Sequence, residues 1–65
     1  MIDIGDKINR TRLKLGLTQE ELAARTELSK GFISQLERNL TSPSIATLID
    51  ILEALGTDIA DFFTT

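Results

Sequence analysis

Apolar residues recur along this chain at helical spacing. Ile4, Ile8 and Leu15 follow the three-and-four rhythm of one helix face, and position 12 falls on the same stripe. Asp3 stands where an N-cap belongs and Gly16 where a helix ends. Thr18 is followed three residues later by Glu21, a capping-box spacing that predicts a second helix from Gln19. Thr26-Glu27-Leu28-Ser29 interrupts it. Ser29 then caps a third helix running to about Arg38, with Ile33 and Leu36 as its buried stripe and Phe32 beside them. Asn39-Leu40-Thr41-Ser42-Pro43 reads as a loop, because a residue before proline avoids the helical region and Asn tolerates left-handed backbone. A fourth helix begins near Ser44, carries Ile45, Leu48, Ile49, Leu52 and Leu55, and ends at Gly56. Asp58 caps a last short helix with Ile59, Phe62 and Phe63. Neither β-branched alternation nor an Asn-Gly hairpin occurs. The expected fold is all-α, five short helices in one layered core over residues 1–65.

Two charges interrupt the apolar stripes. Arg12 lies between Ile8 and Leu15, and Glu37 lies four residues after Ile33. A lone buried charge costs several kcal/mol, whereas a paired, hydrogen-bonded one is tolerable. Either the two meet in the core or both snorkel to solvent at the edge of the stripe.

Composition narrows the chemistry. The 65 residues contain no Cys and no His, which excludes disulfides, thiol and imidazole catalysis and the usual zinc ligands; no cofactor is expected. There is no Tyr, no glycine-rich phosphate loop and no carboxylate pair in an apolar setting, so an enzyme is the poorest reading. A carrier domain needs an Asp-Ser-Leu attachment site, but Ser29 stands between Leu28 and Lys30. No apolar run approaches the roughly 20 residues of a membrane span. The net charge of -3 hides an asymmetry. Residues 7–38 hold all 7 basic side chains against 4 acidic ones, and the remainder holds 6 acidic and no basic ones. Such a division fits a face for an anionic partner and an acidic back; a chance clustering of solvated charges is the plainer alternative.

The segment 18–38 therefore reads as helix, tight turn, helix, with small Ala23 allowing a close crossing and Ile33 and Leu36 burying the second helix on the first. That describes either a generic helical hairpin or a helix-turn-helix unit. The strings LGLTQEELAARTELSKGFISQLERN and SPSIATLIDILEALGTDI closely resemble the lambda-repressor/Cro-type (XRE-type) helix-turn-helix family, from about Ile4 to Phe63. The resemblance implies a compact four- or five-helix DNA-binding domain of a bacterial, cytoplasmic transcriptional regulator, a repressor by preference. Some relatives add a C-terminal sensor domain such as a cupin.

Residue roles follow from the same resemblance. It assigns Gln19 to a DNA phosphate, and Lys30, Gly31, Ser34 and Gln35 to base reading from the third helix. Asn39, Thr41 and Ser42 take positions in the loop that grips the second phosphate strand. Arg38 either contacts phosphate or suits the dipole at the helix C-terminus. Arg12 and Glu37 match the family's buried ion pair. Ile59, Phe62 and Phe63 match the end through which relatives dimerise on a double-stranded operator. Two half-sites would then lie about 34 Å apart. Lys30, Ser34 and Gln35 are otherwise ordinary solvated polar residues. The opposing function is a protein-interaction module, such as an antitoxin or co-regulator domain, using the acidic back. One departure stands out: Glu27 occupies a turn position that is often glycine, implying a strained left-handed residue or a different turn.

Overall fold

Five side chains set where the helices begin. In the computed structural model, which describes residues 3–64, Asp3, Thr18, Ser29, Ser44 and Asp58 each accept a hydrogen bond from the backbone N–H three residues on. They open α1 (Ile4–Lys14), α2 (Gln19–Thr26), α3 (Lys30–Glu37), α4 (Ile45–Ala54) and α5 (Ile59–Phe63). Thr18 and Glu21 complete a reciprocal capping box. No strand occurs among the described residues.

The first four helices end alike. Gly16, Glu27, Asn39 and Gly56 have φ of 70, 58, 60 and 75°. After each, the next residue turns back to donate to a last-turn carbonyl: Leu17 to Arg12, Leu28 to Ala23, Leu40 to Gln35 and Thr57 to Leu52. Glu27 thus adopts the left-handed geometry of the first alternative above. Only two of the four positions are glycine, so Glu27 and Asn39 carry the backbone cost that glycine avoids.

These endings correct the predicted stripes. Leu15, expected on the buried face of α1, lies past the helix end and is half exposed. The left-handed turn at Gly16 instead sends Leu17 into the core. Ile45 and Ile49, expected to be buried on α4, are 68% and 38% exposed. Ile51, absent from the predicted stripe, is fully buried. α4 packs on both α2 and α5, so its buried arc runs through Leu48, Ile51, Leu52 and Leu55. Ile8, Leu22, Ile33 and Leu36 meet that arc, with Ala23 buried at the α2–α3 crossing. Phe62 plugs the far side, edge-on to Phe63, and its carbonyl accepts from the Lys7 ammonium of α1.

Candidate nucleic-acid interface

The interface rests on a buried carboxylate. Arg12 donates to Glu37 twice, Nε to Oε2 at 2.6 Å and Nη2 to Oε1 at 3.0 Å, and its Nη1 donates to the Leu17 carbonyl at 2.7 Å. Asn9 Nδ2 at 2.9 Å and Gln19 Nε2 at 3.0 Å donate to the same Oε1. Both charged side chains are almost fully buried. The pair therefore forms inside the core and neither residue snorkels. Burial pushes the Glu37 carboxyl up, but hydrogen bonds from Arg12, Asn9 and Gln19, with the Arg12 charge, outweigh it and hold the group below the usual carboxylate range. One side chain of α3 thereby ties down α1 and α2.

With Ile33, Leu36 and Glu37 buried, the opposite face of α3 is fixed outward. Lys30, Gly31, Ser34 and Gln35 lie on it, since positions i, i+1, i+4 and i+5 share a helix face. Lys30, Gly31 and Gln35 are exposed and Ser34 is half-buried. A Cβ added at Gly31 would meet only the Ser29 hydroxyl, at 4.0 Å, so this stretch of helix is open to close approach. Lys30 lies 3.9 Å from Glu20, a solvent-exposed pair too weak to withhold the ammonium from a phosphate or base.

Around this face the predicted phosphate ligands divide. Gln19 opens α2, where a helix N-terminus attracts anions. Glu37 takes one of its two amide hydrogens and so orients the group. Arg38, Thr41 and Ser42 follow α3, with Arg38 and Ser42 exposed and Thr41 half-buried. Asn39 is different: its Oδ1 accepts from the Gly5 backbone N–H at 3.1 Å and its Nδ2 donates to Asp3 Oδ1 at 2.6 Å. Its carbonyl oxygen and one of its two amide hydrogens are therefore engaged within the chain.

At the other end, Phe62 is buried and Phe63 half-buried. The partly exposed apolar side chains left there, Ile49 and Ile59, line a groove together with Leu52, Thr57 and the carboxylates of Glu53 and Asp58. Sequence reasoning missed Asn9, whose contact with Glu37 has no periodic signal, and Gly5, whose role depends on a residue 34 positions away.

Comparison with known proteins places this geometry in context. A family model described as helix-turn-helix matches residues 8–62. The chain is 38% identical over 61 residues to an uncharacterised HTH-type transcriptional regulator of Sinorhizobium fredii, covering 94% of this chain and 79% of that one. It is 33% identical over 57 residues to the immunity repressor protein of Bacillus phage phi105, covering 88% of this chain but only 40% of the repressor. Among solved structures, it matches the restriction-modification controller protein C.Esp1396I, seen as a tetramer in complex with its natural 35 base-pair operator. That match has a TM-score of 0.86 at 34% identity and covers 94% of this chain and 80% of that one.

Proposed function

The chain belongs to the helix-turn-helix family, and on that premise we propose that it is a sequence-specific DNA-binding transcriptional regulator that lays α3 in the major groove. The observation that carries this reading is the division of α3. Its inner face is anchored by Ile33, Leu36 and the Glu37 ion pair, and its outer face presents Lys30, Gly31, Ser34 and Gln35, where the one ion pair is the weak, solvent-exposed contact of Lys30 with Glu20. Gln35 and Lys30 are suited to hydrogen-bond base edges, and open Gly31 lets the helix approach a thymine methyl. Gln19, Arg38, Thr41 and Ser42 hold phosphates on either side.

One domain of this size reads too few base pairs to be specific alone, so two copies occupy two half-sites. The groove at Ile49 and Ile59 supports pairing through the α4–α5 end. The repressor relative and the operator-bound controller protein favour repression by occupancy of an operator. Such a protein works in the cytoplasm, beside bacterial DNA.

Selection of bound duplexes from a random pool at two salt concentrations tests the reading. The expected result is a palindromic consensus with half-sites one helical turn apart, bound less tightly as salt rises. Absence of any enriched sequence would overturn it.

A further inference from the structure

We propose that Asp3, Gly5 and Asn39 form a clamp that fixes the loop after α3 to the start of α1, which makes Asp3 and Asn39 positioning residues for DNA rather than DNA ligands. The inference rests on the DNA-binding reading for its consequence, though not for the clamp itself.

The start of α1 lies directly on the end of α3. A Cβ at Gly5 would run into the Leu36 carbonyl, and would approach Asn39 Oδ1 to 2.7 Å and the Glu37 carbonyl to 2.8 Å. Glycine is therefore required for the contact. The N-terminus of α1 here meets the C-terminal carbonyls of α3, an arrangement that favours both dipoles. Two side chains complete it. Asp3 Oδ1 caps α1 locally by accepting from Asp6 N–H, and Asn39 Oδ1 caps it remotely through Gly5 N–H. Asn39 Nδ2 then closes the ring onto Asp3. The Asp6 N–H and the Asn39 amide both hold the Asp3 carboxyl below its usual value, so it is ionised wherever the protein works near neutrality. Asn39 is the left-handed residue that turns the chain out of α3. Fixing its side chain fixes the path of Leu40, Thr41 and Ser42.

Two substitutions separate positioning from direct contact. Asp3→Ser retains an oxygen that caps α1 but is too short to reach Asn39. Asn39→Gly keeps the left-handed backbone and deletes the amide. The probe is a duplex that the parent chain enriches from a random pool. Charge alone predicts tighter binding when an acid is removed near phosphates. The clamp predicts binding about fivefold weaker for Asp3→Ser, the equivalent of one hydrogen bond. It also predicts that the double variant binds no worse than Asn39→Gly alone. In the free chain, exchange of the Gly5 amide hydrogen should accelerate in both single variants while far-ultraviolet circular dichroism is retained. Binding by Asp3→Ser as tight as the parent's, or losses that multiply in the double variant, would overturn the positioning role. Unchanged Gly5 exchange would overturn the clamp. If the parent enriches no duplex, the DNA-binding reading and the positioning role for DNA fall together, while exchange still decides the clamp.

Discussion

At the scale of single residues, Glu37 and Glu27 show opposite uses of a glutamate. Glu37 is buried with its charge matched by two hydrogen bonds from Arg12 and by two further ones from Asn9 and Gln19. Its carboxyl is held below the ordinary range, so the folded state binds its proton less readily than the unfolded chain. Its stabilising contribution is complete above the free-chain pKa of about 4.3 and is lost as pH falls through the lower folded value. Glu37→Gln should lower stability by about 3 kcal/mol at pH 7 by leaving Arg12 buried without a counter-charge. The gap from the parent should narrow below about pH 4.3, measured by urea titration in a stabilising osmolyte so that both chains fold. Glu27 is exposed at φ 58°. There Glu27→Gly trades relief of roughly 1 kcal/mol of strain against the larger unfolded-state entropy of glycine. The expected thermal midpoint is equal to or above the parent's; a clear drop would show that the side chain stabilises the turn.

Whole elements were the most legible part of the sequence. All five helices start at the expected caps, because a cap is a local signal between residues three apart. Arg12 and Glu37 were visible as two charges on apolar stripes, a pattern that left pairing and snorkelling open; the family resemblance favoured the pair that forms. What escaped was the choice between equally apolar faces. α4 offers one stripe through Ile45 and Ile49 and another through Ile51, and only its neighbours decide between them. Contacts with no periodicity, such as Gly5 to Asn39 and Asn9 to Glu37, were invisible for the same reason: they depend on tertiary placement. The polar face of α3 was legible as position only, and its role stays a prediction. Lys30→Ala and Gln35→Ala should each weaken binding to a selected duplex by about 1–3 kcal/mol. Thermal unfolding should hardly move, since both side chains are solvated. Parent-like affinity in both variants would remove α3 as the reading helix.

For the whole molecule, charge and apolar surface divide the labour. The basic residues all lie between positions 7 and 38, four of them on α1, one each on α2 and α3, and Arg38 just after α3. The exposed apolar groove lies at the acidic α4–α5 end. Ile59→Asp should cost the free chain about 1–2 kcal/mol of stability, because Ile59 is only 38% exposed, yet leave it folded and reduce pairing on a palindromic duplex, read as one chain bound per duplex by sedimentation. Two chains per duplex at unchanged affinity would place the partner surface elsewhere. The knot at Glu37 also has a consequence in time. Its carboxylate gathers donors from α1 and α2 while belonging to α3, so its full set of bonds exists only after three helices have docked. If those bonds form after the rate-limiting step, they govern how long a folded molecule survives rather than how fast one appears. Asn9→Ala, which removes one of those donors, should raise the unfolding rate about tenfold and leave the refolding rate nearly unchanged.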